Sequence, residues 1–279
     1  MDEKKLITGS IVIYKNSKED VKNVVKSFFN NELNLKLYIS DNSPDRNIEE
    51  IFSDSRIEYI KNGYNLGFGK GHNIAIKKAM EEGSNYHVLL NPDVYFKGDV
   101  INKLLDFMDG NPDIGMVTPK IKFPNGKDQN SCKLLPTPFD LFQRRFLYPF
   151  NWIKKLNSKY EMSFAMNDQI IESPNLSGCF MFIRTEILKK VGLFDENIFL
   201  YSEDIDLTRR INKEYRTVMY TKVEIFHKWE RGSYKEKRLC FEQIKSSIYY
   251  FNKYGWFFDM DRKRINKRIL KKYLKVVKK

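Results

Sequence analysis

Three groups of side chains in this 279-residue chain are of types and spacings that could do chemistry. The first is Asn91-Pro92-Asp93, which closes the apolar run Val88-Leu89-Leu90. That run reads as a strand buried on both faces. Pro92 has no N–H for a ladder and holds Asn91 extended, so the strand stops there. Asp93 is then presented at the carboxyl end of a central strand, the edge where open α/β sheets bind ligands. A carboxylate there suits a divalent cation carrying a substrate diphosphate; the plain alternative is an Asn-Pro-Asp turn. The second group is Glu203, Asp204 and Asp206 behind Ser202. Ser202 reads as a helix N-cap, and acids in a first turn are favoured by the helix dipole. One or two of them therefore need no catalytic explanation, but three within four residues exceed what capping requires. The third is His227, which follows a strand at Thr217–Val223 and precedes Gly232-Ser233. A lone histidine of this kind is more often structural than a ligand.

The elements that must hold these groups alternate. Leu6–Tyr14 contains Ile11-Val12-Ile13, a buried strand. Ser17 could cap a helix from Lys18 to Asn30 with Val21, Val24, Val25, Phe28 and Phe29 on one face. Leu35–Ser40 is a second strand ending in the polar turn Asp41-Asn42-Ser43-Pro44-Asp45. A short helix at Asn47–Phe52 and a strand at Ile57–Ile60 follow. Strand–helix–strand alternation of this kind predicts an α/β fold, a mostly parallel sheet with helices on both faces. Next comes Asn65-Leu66-Gly67-Phe68-Gly69-Lys70-Gly71-His72-Asn73, opening a helix. Its glycines allow either a backbone approach to an anion or simply a flexible helix start. It is G-x-G-x-G, not G-x-G-x-x-G, and two strands precede it, so the dinucleotide reading is set aside.

Past Asn91-Pro92-Asp93 the spacing predicts a helix at Val100–Met108 and a strand at Ile114–Val117. The pattern weakens between Pro119 and Ile171, where Phe139, Phe142, Phe146, Tyr148, Phe150 and Trp152 gather around Arg144 and Arg145. A lid or acceptor surface is one reading; an irregular insertion is the plainer one. A single strand is expected over Asn175–Ile183. Short helical patterns follow at Glu186–Val191, closed by Gly192, and again at Leu239–Phe251.

Lys and Arg number 49 against 36 Asp and Glu, a net charge of +13. The segment Asp259–Lys279 holds ten Lys/Arg and two Asp, so the surplus is mainly a tail. There Ile265, Ile269, Leu270, Tyr273, Leu274 and Val277 share one helical face with bases on the other, the pattern of an interfacial helix on an anionic membrane surface. A nucleic-acid surface would spread bases and exposed aromatics through the domain, so no nucleic-acid partner is expected. The three cysteines are widely spaced and form no CxxC pair, which fits a reducing, cytoplasmic setting. With no signal-peptide core and no long apolar run, the chain is expected to be neither secreted by that route nor membrane-spanning.

Seven stretches, in order, resemble the family 2 glycosyltransferases, inverting enzymes of the GT-A fold, and within them the rhamnosyltransferase-like branch of bacterial surface polysaccharide assembly. They are Ile11–Tyr14 with Asn16, Ser40–Ser43, Asn65–Asn73, Leu89–Val94, Ser177–Met181, Val191–Glu196 and Phe199–Leu207. The resemblance covers roughly Ile7 to Ser233. It implies a GT-A domain over 1–235 and a C-terminal helical extension with the basic tail over 236–279. It implies that Tyr14 and Asp41 hold the nucleotide base and ribose and that Asn65, Gly71 and Asn73 line the nucleotide side. Asp93 would bind Mg²⁺ or Mn²⁺ on the diphosphate, His227 would complete that metal site, and Asp204 would be the general base. Asn91 stands where many members have the first Asp of a DxD motif; an amide oxygen is the weaker ligand. The implied donor is a dTDP- or UDP-sugar, with L-rhamnose the sugar of that branch. The implied acceptor is a lipid-linked oligosaccharide at the inner face of the cell membrane, where the protein would be peripheral. Two other classes stand beside this reading: a non-catalytic module binding anionic lipid or nucleic acid through the basic tail, and a dinucleotide-dependent oxidoreductase.

Overall fold

The apolar runs form the interior strands of a mixed sheet, and the amphipathic stretches cover it. The computed structural model describes residues 4–45, 47–141, 157–229 and 236–274. Its strands are β1 (Ile7–Ile13), β2 (Leu35–Asp41), β3 (Ile57–Lys61), β4 (Tyr86–Leu90), β5 (Val94–Tyr95), β6 (Ile114–Lys122), β7 (Cys132–Lys133), β8 (Ile170–Glu172), β9 (Asn175–Leu176), β10 (Phe180–Arg184) and β11 (Arg216–His227). Its α-helices are α1 (Lys18–Phe28), α2 (Phe68–Glu81), α3 (Val100–Asp109), α4 (Thr185–Val191), α5 (Glu203–Asn212), α6 (Lys237–Tyr254) and α7 (Met260–Leu274). The helix expected at Asn47–Phe52 is a single 3-10 turn, Glu49–Ile51.

The main sheet runs β3-β2-β1-β4-β10-β6-β11-β5, with β8 paired to β11; β7 and β9 pair separately. Strands β3, β2, β1 and β4 are parallel, while β10 runs antiparallel between β4 and β6. Alternate side chains of the central strands feed two apolar layers, as a strand buried on both faces requires. Val88, Leu90, Phe180 and Phe182 pack with α1 and α3, through Val21, Phe28, Ile101 and Leu104. Leu89, Met181 and Ile183 pack with Ile76 of α2, Ile187 of α4, Leu207 and Ile211 of α5 and Ile269 of α7. Each such side chain, fully buried, stabilises the fold by about 1.5–3 kcal/mol. Helix α1 starts where expected: the Ser17 hydroxyl accepts the Asp20 N–H at 3.1 Å.

The order β3-β2-β1-β4 reverses direction between β1 and β4, a topological switch point of the kind that opens a ligand crevice at the strand carboxyl ends. The single strand expected over Asn175–Ile183 is two, β9 and β10, separated by Ser177-Gly178-Cys179.

The C-terminal helices fold back onto this body. Tyr250, Phe251 and Ile265 pack with Leu135 and Ile205, and the Tyr273 hydroxyl accepts the Glu172 N–H at 2.6 Å. Ile265, Ile269 and Tyr273 are buried. The described part of the apolar stripe of α7, expected to lie in a lipid interface, therefore faces the protein's own core; Val277 and the Leu274 side chain lie outside the described part of the structure. Among the described residues no helix is long and apolar enough to cross a membrane.

Candidate active site

The crevice between β1 and β4 is built from chain ends that the parallel register brings level. Ile13 is opposite Asp41, and Ile11 opposite Leu90. Tyr14 and Asp93, each three residues past the paired Ile11 and Leu90, leave the sheet at the same edge. Tyr14 is exposed. Asp41 is wholly buried: its carboxylate accepts the Ser43 N–H at 2.7 Å and the Tyr59 hydroxyl. Asn42, not singled out from the sequence, ties the edge together. Its N–H reaches the Ile13 carbonyl, its amide donates to the Gly67 carbonyl at 3.0 Å and approaches the Asn65 Oδ1 at 3.4 Å, and its own oxygen accepts from Asn62.

The glycine-rich stretch is shaped by close packing. A Cβ at Gly67 would sit 2.3 Å from the Phe199 carbonyl oxygen, one at Gly69 2.8 Å from Phe194, and one at Gly71 2.9 Å from Val12. Gly67 also has φ +82°, a conformation that disfavours any other residue. Asn73 is buried, and its amide is used on the Phe194 backbone and on Glu196. Gly71 and Asn73, expected to line the nucleotide side, dock α2 against β1 and against the 194–199 segment. Asn65 holds the turn itself, accepting the Gly67 N–H at 3.0 Å.

Asp93 and His227 converge. Strand β11 lies against β5 with His227 opposite Val94, which puts His227 Nε2 3.4 Å from Asp93 Oδ1. Asn91 Nδ2 is 3.5 Å from the same nitrogen. Gln129 orients the ring: its Oε1 meets His227 Nδ1 at 3.1 Å, and its Nε2 donates to the His227 carbonyl at 2.7 Å. Gln129 gives the usual second-sphere support of a metal-binding histidine; in the metal-free ring, which the Asp93 carboxylate keeps protonated, Nε2–H faces Asp93, and a bound cation would replace that proton. One carboxylate oxygen and one imidazole nitrogen at this separation fit two ligands of one divalent cation. No cluster of three His, Cys, Asp or Glu side chains that could hold a metal occurs among the described residues, so further ligands would come from substrate and water. Burial lowers the His227 pKa, but Cys179 and Asp93 outweigh it and push it up to about 10. Asp93 is held below the usual carboxylate range: burial opposes this, but His227 and the Trp229 N–H prevail.

The three acids at the start of α5 have separate fates. Asp206 is fully buried and takes Arg210, Lys253 and the Tyr254 hydroxyl, at 2.9, 2.7 and 2.7 Å. Glu203 is buried, and among the described residues its Oε2 has no hydrogen-bond partner; desolvation and the neighbouring Asp204 charge raise its pKa far above the ordinary value, which favours its neutral form. Asp204 alone is partly accessible. Its Oδ2 accepts the Gly178 N–H at 3.1 Å and its Oδ1 the Ile205 N–H at 2.8 Å. Burial raises its pKa, while Lys133 and those amides hold the rise back. Ser202 does not cap α5 with its side chain; it adopts a left-handed backbone, as does Tyr201 before it.

The break between β9 and β10 joins the two acidic centres. Gly178 donates to Asp204, and the next residue, Cys179, accepts the Asn91 N–H at 2.9 Å. Asp204 and Asn91, two residues before Asp93, are therefore tied to adjacent residues at the end of β4. Gln129 and Lys133 lie in the stretch without periodicity, where no local pattern marks them. The aromatic and arginine group at Phe142, Arg144, Arg145, Phe146, Tyr148, Phe150 and Trp152, and the Gly232-Ser233 turn, lie outside the described residues; Phe139 is half-exposed.

A parallel-sheet switch point, a carboxylate–imidazole pair at one strand end and a partly accessible acid tied to the adjoining β9–β10 break are what the fold brings to this edge. The fold is that of the GT-A glycosyltransferases: the solved mannosyltransferase PcManGT from Pyrobaculum calidifontis, in complex with GDP-Man and Mn²⁺, is similar with a TM-score of 0.56 and 13% identity over 95% of this chain and 73% of that one. Residues 10–192 match the profile of glycosyl transferase family 2, and the chain belongs to that family. Among curated relatives, the N-acetylglucosaminyl-diphospho-decaprenol L-rhamnosyltransferase of Mycobacterium tuberculosis is 27% identical over 185 residues, 61% of this chain and 58% of the relative. The rhamnosyltransferase WbbL of Escherichia coli K12 is 24% identical over 210 residues, 72% of this chain and 76% of the relative. The chain thus spans little more than half the length of the mycobacterial relative.

Proposed function

We propose that this protein is an inverting glycosyltransferase that moves a sugar from a dTDP- or UDP-sugar to a hydroxyl of a lipid-linked oligosaccharide in surface polysaccharide assembly. L-Rhamnose is the sugar favoured by the names of its relatives. The observation that supports the reading is the Gly178-Cys179 break: Gly178 donates to the partly accessible Asp204, and Cys179 accepts from Asn91, two residues before Asp93.

Tyr14 and the Asp41–Asn42–Asn65 edge would receive the nucleoside at the switch point. Asp93 and His227 would hold Mg²⁺ or Mn²⁺, which supplies Lewis-acid neutralisation of the diphosphate when bound. Asp204 then has the chemical task of taking the acceptor hydroxyl's proton as the oxygen attacks the anomeric carbon from the face opposite the diphosphate. Positioned base catalysis of this kind is worth about 10²–10⁴-fold. Neutral Glu203 leaves Asp204 as the charge of the pair, and Lys133 helps keep it ionised. A lipid-linked acceptor would bring the reaction to the cytoplasmic membrane face, with the protein peripheral there.

The test is nucleotide release from dTDP-L-rhamnose and UDP-sugars with Mn²⁺ and a lipid-linked disaccharide acceptor. Turnover that disappears in Asp204→Asn, while donor still raises the melting temperature, supports the reading. Turnover undiminished in Asp204→Asn removes Asp204 as the base.

A further inference from the structure

The turn between α6 and α7 holds four exposed apolar side chains in five residues. Phe258 is 95% exposed, Phe257 79%, Met260 74% and Trp256 38%. This is not a slack loop. Gly255 has φ +101°, and a Cβ there would sit 2.9 Å from the Phe258 carbonyl oxygen. The buried Arg262 guanidinium donates to the carbonyls of Trp256 at 3.1 Å and of Pro136 at 3.2 Å. Asp259 accepts the Arg262 N–H and forms a buried two-pronged pair with Arg209 at 2.6 and 2.7 Å. Buried polar anchors thus present two phenylalanine rings to solvent in a fixed position.

The charge around the turn is one-signed. Met260, Lys263, Arg264, Lys267 and Lys271 are all exposed and, at helical spacing, share one face of α7. The carboxylates between residues 259 and 271 are Asp259, buried against Arg209, and Asp261, paired with Lys213 and Arg264. Exposed Trp and Phe beside a basic stripe match a bilayer interface with anionic headgroups. A second copy of this chain is a poor occupant, because its own basic stripe would meet this one.

We propose that the Trp256–Met260 turn is a membrane-docking tip, inserting its aromatic side chains among anionic lipids while the Lys263–Lys271 face of α7 lies on the headgroups. This rests on the reading that the acceptor is lipid-linked, and it moves the membrane contact from the buried stripe of α7 to the turn before it. Arg209 and Asp206, which anchor this hairpin, are on the helix whose first turn holds Asp204. The docked tip therefore holds the base at a fixed height above the lipid surface.

The experiment is co-sedimentation of the full chain with vesicles of phosphatidylcholine alone or with about 30% phosphatidylglycerol. The wild type is expected to bind the anionic vesicles and much less the neutral ones. Phe257→Ser with Phe258→Ser should weaken that binding at least roughly tenfold, with an unchanged melting temperature. Lys263→Glu with Lys267→Glu should weaken it too. Asp204→Asn should bind vesicles like the wild type, so failure of the enzyme reading and failure of the docking reading are separable. Equal binding by the phenylalanine double variant overturns the proposal, as does indifference to lipid charge. So does a dimer in solution that the double variant abolishes while vesicles remain unbound.

Discussion

The proposed donor side and acceptor side of the site, with Asp204 as the proposed base, are made in different ways. On the donor side, β1, β2 and β4 each deliver a residue to the edge simply by ending, and their parallel register makes the ends level. On the acceptor side, Asp204 is placed by contacts from far along the chain. Gly178 reaches it from the β9–β10 break, Phe199 seats its approach loop on Gly67, and Arg209 and Asp206 lock its helix to the C-terminal hairpin. A base held by long-range contacts can be set for a particular acceptor without disturbing the nucleotide edge, and it can be lost without losing that edge.

The sharpest way to break this contrast is to damage the hairpin anchor. Arg209 and Asp259 are 1% and 2% exposed. Removing one partner leaves a buried charge uncompensated, which costs about 3–5 kcal/mol. Asp259→Asn is expected to lower the unfolding free energy read from a urea titration by that amount and to reduce turnover further than donor binding. Arg209→Met combined with Asp259→Leu should recover much of the stability, since a well-packed apolar pair avoids the desolvation penalty. If Asp259→Asn left stability and turnover intact, the base helix would not depend on the hairpin.

The seam between the two sides is the next target. Gly67→Ala places a methyl group against the Phe199 carbonyl at a positive φ. Overpacking of this kind costs about 1–3 kcal/mol, and the displaced segment is the one that leads into Tyr201, Ser202 and Asp204. Thermal denaturation should show the loss, and kcat should fall more than donor affinity. A donor-affinity loss alone would mean that Gly67 serves the nucleotide after all.

On the donor side a milder effect is expected from Gln129→Leu. The ring of His227 loses the partner that orients Nδ1. Outer-sphere losses of this type weaken metal binding by about 10–100-fold. Calorimetric titration of Mn²⁺ in the presence of donor nucleotide reads this directly, apart from turnover.

These two sides also differ in how far they could be read from sequence. Strand ends announce themselves: Ile11-Val12-Ile13 gives way to Tyr14, Leu89-Leu90 to Asn91-Pro92-Asp93, and Ser40 to Asp41. Apolar runs and the residues that stop them are local, so the switch-point edge is visible one segment at a time. The acceptor side is not local. Asn175–Ile183 looks like one strand because nothing in its hydropathy shows that Gly178 must turn aside to meet a helix 26 residues later. The packing role of Gly71 is equally hidden, because a glycine that admits Val12 and one that admits a phosphate are the same letter. The stripe on α7 looks lipid-facing because an amphipathic pattern says that one face is covered, not by what; here Ile269 meets the protein's own core.

The smallest expected effect concerns Glu203, and it separates the two acids at the base helix. Burial and the Asp204 charge raise the folded-state pKa of Glu203 above its ordinary 4.5. The sign follows from which state ionises first. Below 4.5 both folded and unfolded chains carry the proton, and Glu203 contributes no penalty. As pH rises past 4.5 the unfolded chain ionises and gains hydration while the folded one stays neutral, so stability falls until the raised folded-state value is reached. Glutamine cannot ionise, so Glu203→Gln should melt higher than the wild type near neutral pH and lose that advantage below pH 4.5. Because glutamine reproduces the uncharged side chain, turnover should persist in Glu203→Gln, in contrast to Asp204→Asn. A pH series of melting temperatures for the two proteins checks this. Parallel curves across the acid range would mean that Glu203 is ionised in the fold, and that the charge at the start of this helix is not confined to Asp204.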